Sequence, residues 1–297
     1  MPRAATIRLS LCFFLIVLFL LFFSGCHSQT PEIGEYPVIV NGKAVAVHPE
    51  KVVSLSPACT AYALLKGYPL YGVSGQCAQW VSQAEGYPVF GSVIAPDVEQ
   101  MKGEGVDMVL SASKLLESDR QKLEQAGISY VELTPPEELL GLVAWYSDIG
   151  GVFAGSLGQQ DGADTAALLV KQMQQQAMKM VDPEDPITVL CFSGDLSHSV
   201  PDSGFLGYLF TLFDLQNLSS DDGLVEPEQL ILEQPDYLLV DSEQLLQEIR
   251  ENERLNGLDA VKAGRVYVIE LSSIRLFLPQ MLEQTQAFLE MVPLTDS

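Results

Sequence analysis

The strongest constraint on this chain is that its sequence contains the same pattern twice. Glu99-Gln100-Met101 followed by Asp107-Met108-Val109-Leu110 returns as Glu228-Gln229-Leu230 followed by Asp236-Tyr237-Leu238-Leu239-Val240, with Asp eight positions after Glu in both copies. The Glu-Gln pair opens a short helix each time. Pro96 and Pro227 stand just before the acids, where proline suits a first helical turn. An acid in that turn also meets the positive end of the helix dipole. Each Asp leads into an apolar run without alternation, which reads as a parallel strand covered on both faces. Upstream, Val52–Ser56 and Ile187–Phe192 are further apolar strands. Downstream, Gly127 and Gly264 each precede a β-prone run. Gly127 follows Asp107 by 20 positions and Gly264 follows Asp236 by 28, so the second copy carries an insertion around Ser242–Val261. An amphipathic helix near Ser113–Ala126 fills that interval in the first copy. Strand–helix–strand repetition predicts the α/β class with right-handed crossovers. Two copies predict two similar Rossmann-like lobes joined by one long backbone helix.

That helix is predicted between the copies. Asp161 to Met180 is rich in Ala, Leu, Gln and Met, Asp161 is placed to cap its start, and Pro183 and Pro186 lie beyond its end. About 20 residues at ~1.5 Å each give a rod of about 30 Å. An earlier helix over roughly 136–153 closes the first lobe and ends in the glycine-bearing Gly150–Gly158 stretch. Near the start, Pro37–Val40, Asn41-Gly42 and Lys43–Val47 spell a hairpin with a type I′ turn. The expected organisation is a signal peptide over 1–25, a tether over 26–36, a first lobe over 37–160, a connecting helix over 161–182 and a second lobe over 183–297.

Arg3 and Arg8 precede an apolar run from Leu11 to Phe23, which Ser24-Gly25-Cys26 closes. This is the form of a secretory signal, and the run is short for a membrane span of about 20 residues. Composition narrows the partners. Among 297 residues, 39 acids against 16 bases give a net charge of −23, which disfavours nucleic acid and anionic lipid surfaces as partners of the folded part. With 47% hydrophobic and 19% charged residues, the chain is not an acidic disordered one.

Taken in order, several stretches carry a family resemblance. They are Lys51–Thr60 with its Ser-Pro-x-x-Thr turn, Leu70–Ser74, Val89–Gly91 with Pro96–Gln100, Ser203–Leu209, Gln216–Leu218 and Ala260–Val268. Together they resemble the class III substrate-binding proteins of bacterial ABC importers, which bind cobalamin, ferric siderophores or haem. The resemblance spans about residues 48–290. Ser24-Gly25-Cys26 is similar to a bacterial lipobox, although Phe23 stands where leucine is usual. That likeness implies cleavage before Cys26, its acylation, and an extracytoplasmic protein anchored to the bacterial cell membrane by N-terminal lipid. The family resemblance implies that Glu99 and Glu228 dock into arginine pockets of an ABC permease. It implies no catalysis, no resident cofactor and no resident metal, the cargo being itself a metal chelate.

Ligands of two-lobed α/β proteins sit outside the carboxyl ends of strands. This rule selects Ser56–Thr60, Ser74–Trp80, Ser111–Lys114, Ser193–Ser199, Asp241–Ser242 and Ser272–Arg275. Trp80 leads, because a flat surface suits a macrocycle or catecholate. Gln79, Tyr62, Ala112 and Lys114 of the Ser111–Lys114 turn, His198 and Arg275 complete the ligand candidates. His198 could reach cobalt or haem iron, or simply be a polar loop residue. Few bases in these segments disfavour a strongly anionic ligand, so a corrinoid ranks ahead of a ferric siderophore or haem. Outside the cytosol Cys59 and Cys77 are candidates for a disulfide, against the alternative of buried free thiols. No G-x-S-x-G or P-loop occurs, and three histidines leave little room for a His-based triad. The alternatives are a surface-tethered hydrolase, a zinc or manganese binder, and an adhesin or sensor lipoprotein of the same two-lobed fold.

Overall fold

The structure is a computed structural model that describes residues 31–179 and 186–291. The expected signal peptide, positions 26–30 of the tether with Cys26 among them, and positions 180–182 of the connecting helix lie outside the described residues. Among the described residues no helix is long and apolar enough to cross a membrane.

The chain opens with the hairpin β1 (Val38–Val40) and β2 (Lys43–Val45). Asn41 and Gly42 between them both have positive φ, 42° and 76°, as a type I′ turn demands. The first lobe follows: β3 (Val52–Ser54), α1 (Pro57–Leu65), β4 (Gly72–Val73), α2 (Gly75–Trp80), α3 (Val98–Glu104), β5 (Met108–Ser111), α4 (Glu117–Ala126) and β6 (Ser129–Glu132). Its four strands lie in the order β4-β3-β5-β6, all parallel. After α5 (Gly141–Ala177) the second lobe runs β7 (Ile187–Ser193), β8 (Asp195–Ser199), α6 (Gly204–Leu212), β9 (Leu215–Asn217), α7 (Pro227–Glu233), β10 (Tyr237–Val240), α8 (Glu243–Glu251), α9 (Asp259–Lys262), β11 (Val266–Val268), α10 (Leu271–Arg275) and α11 (Met281–Met291). Here β9, β7, β10 and β11 pair in parallel in the matching order. The addition is β8, which folds back antiparallel on the end of β7 through Gly194.

The repeat has a physical cause in both lobes. The Asp107 carboxylate accepts hydrogen bonds from the N–H groups of Glu50 and Lys51 at 2.8 and 3.0 Å, fixing the entry to β3. The Asp236 carboxylate accepts from the N–H and hydroxyl of Thr188 at 2.9 and 2.7 Å, fixing the entry to β7. Gly127 and Gly264 turn the chain back into β6 and β11 with φ of 73° and 70°, a region that favours glycine. The insertion in the second copy is α9 and the short turn Leu255–Gly257 that leads into it.

Both sheets are covered on two faces, as parallel sheets require. Val53 and Val109 face an outer core with Phe90 and Leu123, whereas Val52, Met108 and Leu110 face inward. In the second lobe Leu190, Leu238 and Val240 face outward, while Val189, Cys191 and Leu239 face inward. The two inward faces belong to one continuous apolar cluster, together with Trp145, Tyr146, Leu169 and Met173 of α5. The described residues from Glu32 onward form one compact unit.

α5 is broken. Ala154 (φ −135°, ψ 19°) and Gly155 (φ 60°, ψ −143°) leave the helical region and divide it into arms 141–153 and 156–177. A Cβ on Gly150 would lie 2.1 Å from the Gly158 carbonyl oxygen, and one on Gly162 would lie 2.3 Å from that of Tyr146. These pairings run in opposite directions along the chain, so the arms form an antiparallel hairpin with backbone against backbone. The first arm ends at Phe153, within the Gly150–Gly158 stretch where the sequence placed its end, and Gly150 and Gly158 are in addition the surface on which the two arms meet. One expectation is corrected here. Asp161 does not cap the connecting helix but lies within it, paired with Lys66 at 2.6 Å. The segment expected as a tether is docked at its far end: Gly34 N–H donates to the Ala154 carbonyl (2.9 Å) and Ser156 N–H to that of Glu35 (3.1 Å).

Candidate functional site

The carboxyl ends of the two sheets face a cleft of about 730 Å³. Ser56, Pro57 and Ala58 at the start of α1, Trp80 at the end of α2, Ala112 after β5 and Pro135 after β6 form the first wall. Asp241 after β10 and the segment Glu270–Phe277 through α10 supply the second, with Ser273 and Ile274 turned inward from it. Serines set the local geometry of the first wall. The Ser56 hydroxyl accepts the N–H of Cys59 at 3.2 Å and caps α1; that of Ser74 accepts the N–H of Cys77 at 3.3 Å and caps α2. These caps turn both helices out of the strands, so that the first turn of α1 and the last residue of α2 edge the cleft.

A polar relay orients the single guanidinium of the lining. Arg275 Nη2 donates to the Ser193 hydroxyl at 2.7 Å, and that hydroxyl donates to Asp241 at 2.8 Å. The Gly194 N–H also donates to Asp241, at 2.9 Å. Arg275 uses one of its five donor positions in this way and stays exposed, so the others remain for a guest. Phe277 closes the cleft floor in an unusual backbone state. Its φ is 55°, its carbonyl accepts the hydroxyl proton of Tyr146, and its ring lies 5.5 Å from Trp145 and 5.1 Å from Phe205. A bulky residue held there costs on the order of 1–3 kcal/mol, which the contacts around it offset.

The sequence candidates fall into two groups. Trp80, Ala112 and Arg275 come together in the cleft lining, and Trp80 is 64% exposed, leaving its indole face open. Four others do not join them. Tyr62 is wholly buried, its ring 4.1 Å from that of Tyr146, because its position in α1 faces the shared core rather than the cleft. His198 lies on β8, where its Nδ1 is bound to Asp195 at 2.9 Å. Gln79 and Lys114 are exposed and outside the lining. Sequence reasoning missed Pro135, Glu270, Leu271, Leu276 and Phe277. The strand-end rule would have found Pro135 had it been applied to β6, and Glu270 and Leu271 had it started two residues earlier. Phe277 carries no sequence signal.

Of the two alternatives for Cys59 and Cys77, the structure has the free thiols, both buried. Each N–H is held by its capping serine, and the Cys77 sulfur already accepts from the Ser74 hydroxyl at 3.1 Å and approaches the Ser54 carbonyl at 3.6 Å. Burial pushes the Cys59 and Cys191 thiols up to about 12. Thiolate, the reactive form, is therefore scarce at neutral pH. Cys59, Cys77 and Cys191 are expected to resist a chromogenic disulfide reagent in the folded protein and to react together on unfolding. A count of one reactive thiol among the three would instead reveal a bridge.

Glu99 and Glu228 stand outside the lining, both exposed, each at the second position of its short helix.

The sequence profile of the periplasmic binding proteins matches residues 52–271. The chain belongs to that family. Solved structures agree in fold. The chain is similar to the periplasmic vitamin B12-binding protein BtuF of Vibrio cholerae, with 17% identity and a TM-score of 0.65 over 82% of this chain and 97% of that one. It is similar to the periplasmic haem-binding protein HutB of Vibrio cholerae, with 18% identity and a TM-score of 0.64 over 82% and 99%. It is also similar to the iron-uptake ABC transporter substrate-binding protein PiuA of Streptococcus pneumoniae, with 17% identity and a TM-score of 0.63 over 88% and 98%. No curated protein sequence matches the chain. In this periplasmic binding protein, then, the cleft between the lobes is the site to interpret.

Proposed function

We propose that this periplasmic binding protein is lipid-anchored through Cys26 outside the cytoplasm and delivers a metal chelate to an ABC import permease, which Glu99 and Glu228 engage. The observation that carries the reading is the makeup of the cleft. An exposed indole at Trp80 and the apolar Leu271, Leu276 and Phe277 offer flat contact to a large ligand. Asp241 and Glu270 outnumber the one guanidinium of Arg275, which suits a neutral or weakly charged guest better than a polyanionic ferric siderophore. The lining donors are carboxylates, hydroxyls and a guanidinium, so the guest brings its own filled metal coordination. Those properties together favour a corrinoid over haem or a ferric siderophore, and the structural likeness to BtuF is consistent with this.

Difference absorption titrations with cyanocobalamin, haemin and a ferric hydroxamate separate the three. The expected result is a saturable one-to-one change with cyanocobalamin. Saturation with haemin or the hydroxamate alone would move the assignment to that chelate, and saturation with none of them would remove it.

A further inference from the structure

The two helices that carry Glu99 and Glu228 correspond position by position, yet their outward faces differ. Met101 and Leu230, two residues after each acid, are both buried and hold the helices to their lobes. The residues three and four positions after each acid share its face. In α3 these are Lys102 and Gly103, both exposed. In α7 they are Ile231 and Leu232, which are 41% and 84% exposed. A single exposed leucine is ordinary, but two adjacent large aliphatics beside an acid on one helix face are an unpartnered apolar surface. The acids differ as well. Arg254 Nη1 stands 3.8 Å from a Glu228 carboxylate oxygen, both side chains being exposed, so part of that charge is already answered within the lobe. Nothing among the described ion pairs answers Glu99.

We propose that the second lobe docks on the permease through Ile231 and Leu232, an apolar anchor on the helix face of Glu228 that α3 does not offer on the face of Glu99. This rests on the reading of Glu99 and Glu228 as docking residues and adds the anchor to it. The partner surface then has two unequal halves: a basic recess for Glu99, and a basic group beside an apolar recess for Glu228, Ile231 and Leu232. The occupant is a protein surface because the flanking acids and the chain's net charge of −23 complement basic groups and repel anionic lipid headgroups. Apolar contacts at the centre of an interface with charges around them also match where binding energy concentrates.

The test uses the fluorescently labelled full chain and right-side-out membrane vesicles from the cells that make it. Ile231→Ser with Leu232→Ser is expected to weaken saturable vesicle binding at least about tenfold without changing its salt dependence. Glu99→Arg should weaken binding and flatten the salt dependence, because it removes a charge contact. Cyanocobalamin affinity of the double serine variant should equal that of the parent, since neither residue touches the cleft. If Glu99→Arg abolishes binding and the double serine variant binds normally, the anchor is overturned and the docking reading stands. If neither variant changes binding, both fall. Binding of the parent to protein-free phosphatidylglycerol vesicles that the serines remove would assign the patch to lipid and overturn the proposal. So would sedimentation showing a dimer of the parent that the serines dissociate.

Discussion

Replacing Glu99 and Glu228 together by arginine is expected to abolish import while leaving affinity for the cleft ligand within about twofold. Both carboxylates are exposed, and neither lines the cleft, so the substitutions leave the binding walls intact. The cost to stability is small. Losing an acid from the first turn of a helix costs about 0.3–1 kcal/mol each through the dipole, and the exposed pair with Arg254 is worth less than about 1 kcal/mol. The effect on docking is large by comparison. An arginine facing an arginine pocket exchanges attraction for repulsion at both contacts, and losing one partner of a buried interfacial charge pair alone costs about 2–5 kcal/mol. Uptake of radiolabelled cyanocobalamin by cells carrying the variant, set beside the isolated variant's affinity, checks this. Normal uptake would refute the docking roles; lost affinity would mean that the two acids belong to the cleft.

Gly158→Ala is expected to destabilise the fold by about 2–4 kcal/mol, as a small-to-large change at a backbone contact. An added Cβ would stand 2.0 Å from the Gly150 carbonyl oxygen and 2.9 Å from the Ala154 Cβ, atoms that can yield only if the arms of α5 part. The arms carry Trp145, Tyr146, Leu169 and Met173 into the core that both lobes share, so separation is felt in each lobe. Gly103→Ala is the control. It lies within α3, and a methyl group there would meet no atom within 4 Å, so the change should be neutral or stabilising by up to about 1 kcal/mol. Denaturant unfolding of the two variants should therefore move in opposite directions. Equal and small shifts would mean that the arms are not in backbone contact.

The architecture was readable because its signals are local and recur. Asp107 and Asp236 tie off strand entries, Gly127 and Gly264 supply positive φ, and unbroken apolar runs mark doubly covered strands. The antiparallel pairing of the α5 arms was not readable. Glycines inside a helix look the same in sequence whether they end it or let another backbone approach, and only the partner's position separates the two. The cleft was legible where it follows strand ends, as at Trp80, Ala112, Asp241 and Arg275. It failed where the helix phase decides which way a side chain points. Tyr62 follows closely on Pro57 and Ala58, which line the cleft, yet its phase in α1 turns it into the core. Phe277 reaches the floor through a left-handed backbone that Tyr146 supports from far away in sequence, a long-range contact with no local trace.

One chelate bound per chain between the lobes, against Trp80, is the central claim. Calorimetric titration of the parent and of Trp80→Ala with cyanocobalamin tests it most directly. Trp80 is largely exposed and caps no core, so its removal should leave the unfolding transition in place. The expected result is a stoichiometry of one for the parent and at least about tenfold weaker binding for the variant, the loss of about 1.4 kcal/mol or more of stacking contact. Unchanged affinity in Trp80→Ala, with the same stoichiometry, would place the ligand elsewhere and contradict the claim.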